Sequence, residues 1–264
     1  MHVITLINGS LSSQTSSIYA LHYAKQLNLP LYILHVKGKD SLEEVQKSAD
    51  DLFALAQEKD VESTFTVFDT LEELTTFIEQ KDIDMIFCST RYRHALFDPS
   101  FVQTLIHKKL KVDFAIVKVL NTGYANRVEN VVLPIRSSKL SVKKFTLFST
   151  FVLAYNAKAE IYSIDKIYKS SFFEKKETTR LKELIFHLRH YFRLANMLNF
   201  KLSLKHDFAY GEGEMVRSHI GRNRFDLTIV GAHTSSSFFF SHPIDTLFED
   251  PLINTVYFIP YEEK

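Results

Sequence analysis

The chain has 264 residues, 45% apolar, 24% charged and 13% aromatic, with a net charge of +1. This is the balance of a globular chain with a real core, and it excludes an intrinsically disordered one. A single cysteine, Cys88, excludes an internal disulfide and a cysteine-based zinc site and fits a reducing compartment. No apolar run approaches the roughly 18 residues needed to span a bilayer. The opening "MHVITLINGS" lacks the basic flank and small-residue cleavage site of a signal peptide. A cytoplasmic protein without membrane insertion is expected.

In chain order, "HVITLI" (2–7) reads as a buried strand, followed by a turn-rich loop, "NGSLSSQTSS". "SIYALHYAKQL" sets Ala20, Leu21, Ala24 and Leu27 at helical spacing. "LYILHV" (31–36) is a second buried strand. "SLEEVQKSADDLFALAQEK" (41–59) opens with Ser41 and Glu44, a capping-box pair, and a second such pair, Thr70 and Glu73, opens "TLEELTTFIEQKDI". "STFTVF" (63–68) lies between these helices and alternates as a strand does. "DMIFC" (84–88) and "DFAIVKV" (113–119) are strands, with a helix between them predicted to begin near Pro99.

The order then repeats. "NVVLPI" (130–135) is a strand, "SKLSVKKFTLFSTFVLAYN" a helix and "AEIYSI" (159–164) a strand. A long amphipathic helix is predicted over about 174–199, its apolar stripe made by Leu181, Leu184, Ile185, Leu188, Tyr191, Phe192, Ala195 and Leu198. "KLSLKHDF" is a strand, "EGEMVRSHIGRNR" a helix with Gly221 as its C-cap, and "DLTIVG" and "NTVYFIP" are the last two strands. Apolar strands alternating with helices predict an α/β fold. Two tandem doubly wound domains are expected, each a five-stranded mainly parallel sheet flanked by helices. They cover 1–120 and 129–264, with the polar segment 121–128 as linker. The first 120 residues hold 12 Lys+Arg against 16 Asp+Glu and the remainder 20 against 15. That asymmetry is too mild for a nucleic-acid-binding domain.

"INGSLSSQTSSIYALHYAKQLNLPLYILHVK" resembles the opening of a universal stress protein domain, and "LPIRSSKLSVKKFTLFSTFVLAYNAKAEIYSID" resembles it more weakly. "IDMIFCSTRYRHALFDPS" and "FDLTIVGAHTSSSFFFSHP" fall where that family has its fourth strand and phosphate loop. The chain therefore looks like a tandem universal stress protein, and the resemblance implies the adenine-nucleotide alpha hydrolase-like fold and a role in the stress response. It also implies that domains pair through their last strand, which a tandem chain can do internally. ATP-binding members carry glycine, two residues, glycine, nine residues, then glycine and a hydroxyl residue. Glycines let the backbone approach the phosphates, and amides and a helix N-terminus hold the anion. In the first half these glycine positions fall on Ser89, Tyr92 and Val102, with Gln103 for the hydroxyl. In the second half they fall on Gly231, Thr234 and Ile244, with Asp245, whose charge repels a triphosphate. The family's nucleoside-contacting aspartate corresponds to Asn8 and Arg136, and its backbone contact after the second strand to Val36 and Ile164.

The candidate nucleotide-binding residues are thus Asn8 and Val36 in the first half. In the second they are Arg136, Ile164, Gly231, Ala232, His233, Thr234, Ser235, Ser236 and Ser237. Arg136 either binds phosphate or fills an empty nucleoside pocket with its stem. In "STRYRH", Arg91 and Arg93 either replace the lost amides as an anion site or form a solvated loop tip. "RSHIGRNR" carries His219, Ile220 and Gly221, similar to part of the H-I-G-H of nucleotidyl transferases, without its second histidine and ahead of the fourth strand. "FHLRHYFRL" reads as an amphipathic helix with a solvated basic side, although arginines interleaved with aromatics also suit single-stranded nucleic acid. "FFF" (238–240), Phe248 and "VYFIPY" read as an interface or core packing. No catalytic or metal-ligating residue is assigned, and a non-enzymatic regulatory or binding protein with protein partners and self-association is expected. The alternative is a sensor or slow ATPase using ATP or another adenine nucleotide in the second half.

Overall fold

Ser10 sets where the first helix starts. β1 (His2–Leu6) leads into α1 (Leu11–Leu27) within a few residues, so most of the expected loop is helix. The Ser10 side chain accepts the Ser13 amide at 3.3 Å as the N-cap. The hydroxyls that read as turn formers bond back into the helix, Thr15 Oγ1 to the Leu11 carbonyl at 2.8 Å and Ser17 Oγ to the Ser13 carbonyl at 2.9 Å. With those donors satisfied inside the helix, a serine-rich segment can be buried.

The computed structural model describes residues 1–38, 40–89, 101–119, 125–136, 140–166, 173–231, 247, 248 and 250–261. The first half continues with β2 (Leu31–Val36), α2 (Leu42–Glu58), β3 (Ser63–Phe68), α3 (Leu71–Glu79), β4 (Ile83–Ser89), α4 (Phe101–His107) and β5 (Asp113–Lys118). The second half has β6 (Asn130–Arg136), α5 (Val142–Tyr155), β7 (Lys158–Lys166), α6 (Phe173–Met197), β8 (Leu202–Ala209), α7 (Glu212–Asn223), β9 (Leu227–Gly231) and β10 (Thr255–Ile259). Both N-caps form, with Ser41 Oγ 3.5 Å from the Glu44 amide and Thr70 Oγ1 3.2 Å from the Glu73 amide, and the Glu73 carboxylate reaches back to the Asp69 amide at 2.9 Å, one residue before the cap. The expected start of α4 near Pro99 lies outside the described residues, as do 238–240 of "FFF".

The strands form one sheet in the order β3-β2-β1-β4-β5-β10-β9-β6-β7-β8. The fold is therefore the expected α/β one, and the second five strands repeat the order of the first. All described pairings are parallel except β5 with β10, which run antiparallel with Lys118 opposite Thr255 and Phe114 opposite Ile259. What reads as two five-stranded sheets is one continuous ten-stranded sheet. The antiparallel junction puts the carboxyl ends of the two strand sets on opposite edges.

Two apolar layers sandwich the sheet. Residues of α1, α2, α5 and α6 share one core cluster, and residues of α3, α4 and α7 share the other. At the centre of the first layer α1 packs on α5. The Phe151 ring stands edge-on to Tyr19 at 5.7 Å and tilted to Tyr23 at 6.1 Å. Burying one such ring contributes roughly 1.5–3 kcal/mol.

Two further sequence expectations are corrected. Of the predicted α6 stripe, Leu184, Leu188, Tyr191 and Ala195 are buried, but Leu181, Ile185 and Leu198 are 38%, 50% and 43% exposed. An outer helix on an edge strand has a neighbour on one side only, so just a narrow seam reaches the core. Gly221 does not cap α7: the helix runs on to Asn223, and Arg224 takes the left-handed cap conformation with φ 50°.

Candidate functional site

In a doubly wound sheet ligands bind at the carboxyl ends of the strands, where neighbouring connections diverge to opposite faces. The strand order places those points between β1 and β4 and between β6 and β9. Asn8 and Val36 therefore lie at one edge, and Arg136, Ile164 and Gly231 at the other. Arg91, Arg93, Ala232, His233, Thr234, Ser235, Ser236 and Ser237 lie outside the described residues.

At the first edge the chain leaves β1 through Asn8 and Gly9. Asn8 Oδ1 accepts the Ser10 amide at 3.1 Å and the Ser10 hydroxyl at 2.6 Å, an Asx turn. The Asn8 amide in turn donates to Ser13 Oγ at 3.3 Å. The side-chain oxygen that would correspond to the family's aspartate is thus spent on the loop itself. Gly9 has φ +78°, and a Cβ there would lie 3.0 Å from the Glu44 Cβ and 3.1 Å from the Glu44 carbonyl carbon. Glycine at this turn lets the start of α2 close over the loop. Val36 ends β2 half-buried, packed in the α3–α4 layer.

Beneath this edge His35 is 2% exposed, and its Nδ1–H donates to the Ile7 carbonyl at 2.8 Å. Its Nε2 is buried without a hydrogen-bond partner. Beside Ile164 in β7, the corresponding place is held by Ser163, whose hydroxyl is likewise buried and unpartnered. Buried polar atoms of this kind are where a water or a ligand atom finds a partner.

At the second edge β6 ends on Arg136, in register with Ile164, and Ile164 is fully buried between β6 and β8. β7 runs two residues past Ile164 to Lys166, whereas β2 stops at Val36. The residue corresponding to the family's backbone contact therefore sits inside a strand instead of at its end.

Gly231 closes β9 with φ +156°. A Cβ there would lie 2.2 Å from the Phe258 carbonyl oxygen and 2.9 Å from the Phe258 nitrogen. This backbone conformation, which aims a Cβ at the β10 backbone, demands the glycine. Its carbonyl accepts Lys144 Nζ at 3.4 Å, and Lys144 is 5% exposed in the first turn of α5. Lys144 is the site cation that sequence reasoning missed. The available signal was "VKKF" at a helix start, where the helix dipole favours acids and this first turn has none. The adjacent Lys143 reaches across the junction to Asp113 Oδ1 at 2.9 Å and the Tyr261 carbonyl at 3.0 Å. A cleft of about 380 Å³ opens farther along this edge, lined by Phe208, Tyr210, Glu214, Met215 and Arg222.

The H-I-G fragment has a structural role. His219 stacks on Tyr162 with ring centroids 3.8 Å apart. Its Nε2–H donates to Glu160 at 2.5 Å, and Nδ1 accepts from Asn223 Nδ2 at 3.1 Å and Lys205 Nζ at 3.3 Å. These contacts fasten α7 to β7. His187 and His190 lie exposed on α6, and among the described residues no three His, Cys, Asp or Glu side chains converge on a metal site. Burial pushes the Cys88 thiol up to about 12.

No family model matches the sequence, and no curated protein matches it. Solved structures match its fold end to end. A universal stress protein from Archaeoglobus fulgidus DSM 4304 superposes with a TM-score of 0.61 at 11% identity, covering 99% of this chain and 98% of that one. A protein of Pseudomonas aeruginosa UCBPP-PA14 assigned to the universal stress proteins gives 0.62 at 10% identity, over 98% and 93%. The cytoplasmic domain of a prokaryotic cation chloride cotransporter gives 0.62 at 10% identity, over 100% and 96%. The fold is that of the universal stress proteins. Among the described residues, no helix is long and apolar enough to cross a membrane.

Proposed function

We propose that this chain is a tandem universal-stress-type binding protein of the cytoplasm, with domains 1–120 and 129–264 joined by 121–128. It acts through protein partners and self-association, without catalysis and without ATP held by the family's glycine loop. One fold hosts many functions, so the reading rests on the site. Gly231, the one motif glycine this chain keeps, is required by the Phe258 carbonyl 2.2 Å from its Cβ position. A glycine that the sheet needs is no sign of a phosphate. At the other edge the Asn8 oxygen is committed to Ser10.

A second reading is favoured by Lys144. Its buried ammonium, in the first turn of α5, supplies positive charge at the Gly231 carbonyl where β9 ends. In that reading the second domain is an adenine-nucleotide sensor or slow ATPase.

The deciding experiment measures adenine nucleotide released from natively purified protein on denaturation, and the melting temperature with ATP and magnesium. The first reading expects no release and no shift. Ligand at 100 times its dissociation constant would stabilise the fold by about 2.7 kcal/mol, and that result would establish the sensor. Lys144→Gln would then locate the site. Gly231 variants are unsuitable for this purpose, because they destabilise the sheet whether or not nucleotide binds.

A further inference from the structure

α6 carries a second, outward-facing surface that the fold does not use. Leu184, Leu188, Tyr191 and Ala195 form its buried seam. Arg193 falls about two and a half turns beyond Leu184, on the opposite side of the helix. Lys182 and Arg189 lie on the same side of the helix, spread along it ahead of Arg193, and all three are exposed. Apolar side chains flank this basic ridge on both sides: Ile185 is 50% exposed, Phe186 70% and Met197 81%. From residue 181 to 198 the only acid is Glu183.

We infer that this face of α6 docks on an anionic bilayer surface, lying in the headgroup region without crossing it. A basic ridge flanked by large apolar side chains is the pattern of an interfacial helix, with apolar groups entering the acyl boundary and arginines meeting anionic headgroups. The face is convex, since the exposed side chains project from a helix packed by its opposite side, and that suits a deformable plane. A nucleic acid would reward the arginines and a stacking aromatic, but not Ile185 and Met197. The acidic helix α2 lies on the same side of the sheet at its far end, where it would be repelled by an anionic surface. The docking is thus edge-on, with the β8 side toward the lipid and α2 held away from it.

The test is co-sedimentation of the whole chain with vesicles, one set of phosphatidylcholine alone and one an equimolar mixture with phosphatidylglycerol. Binding is expected to the mixed vesicles only, weakening with salt. The double change R189Q/R193Q should weaken it by roughly 25-fold, at about fivefold per arginine near an anionic surface. R189K/R193K, which keeps the charge, should bind like the parent. F186S/M197S should lose binding at every salt concentration while unfolding at the parent's temperature, because both side chains are exposed. Failure of the parent to bind anionic vesicles at low salt overturns the inference. So does binding indifferent to both charge and apolar changes. Equal binding to a single-stranded oligonucleotide, insensitive to F186S/M197S, would reassign the face to nucleic acid. Loss of self-association in the same variants, without vesicles, would reassign it to a second copy.

Discussion

The Phe258 carbonyl oxygen stands 2.2 Å from where a Cβ of Gly231 would be. At φ +156° the Cβ position of Gly231 turns onto the backbone of the paired strand β10, so no side chain fits there. The residue that most resembles a remnant phosphate loop is therefore a packing requirement of the sheet.

Gly231→Ala should destabilise the protein by about 2–3 kcal/mol, since the colliding atoms are backbone and cannot turn aside. Gly221→Ala is the contrast. A Cβ there meets nothing within 4 Å, and the residue lies inside α7. It should stabilise by about 0.5–1 kcal/mol. Chemical denaturation of the two variants checks both signs.

Phe151 joins the halves of the chain on one face. Its ring meets Tyr19 and Tyr23 of α1 and lies 6.2 Å from Phe87 of β4. Phe151→Ala should cost about 3–5 kcal/mol by leaving a cavity at this junction. Equilibrium unfolding in urea, followed by circular dichroism, measures it.

Acid should destabilise the fold through His22. Burial, with the Lys59 charge beside it, lowers its pKa from 6.5 to about 4. Between those values the unfolded chain binds a proton that the native chain refuses, so stability rises with pH. The contribution is present above about 6.5, declines as pH falls, and is lost near 4; its ceiling is about 3 kcal/mol. His22→Phe, which keeps the stack on Tyr155, should flatten the pH dependence of the melting temperature over this window.

Cys88 is 1% exposed, and burial pushes its thiol up to about 12. Thiolate is the reactive form and is negligible at neutral pH under these conditions. Native protein should resist a thiol reagent such as Ellman's, and unfolded protein should react with one equivalent. Rapid labelling of the native chain would mean that β4 opens.

Replacing Asn8 by alanine should cost about 1 kcal/mol, because two hydrogen bonds from Ser10 lose their acceptor. Asn8→Asp keeps the acceptor and should stay within about half of that. Thermal unfolding of the pair checks the difference.

The sequence alone determined the order and type of the elements. Strand runs such as "LYILHV" and "DLTIVG" are apolar because both faces of a parallel sheet are covered, and capping pairs such as Thr70 and Glu73 act within one turn. Local signals survive translation into sequence because they need only near neighbours. Tertiary structure decided what depends on contacts far apart in the chain. The β5–β10 pairing fuses the sheet and sends the two crevices to opposite edges. Ser17 reads as a loop residue, yet α1 packed on the sheet brings its hydroxyl to Thr5 of β1 at 2.8 Å. The α6 stripe looked wide until its place on an edge strand limited burial to one seam. Gly231 looked like a phosphate contact because glycine reports only that something approaches closely, and residue identity cannot say whether that is a ligand or Phe258.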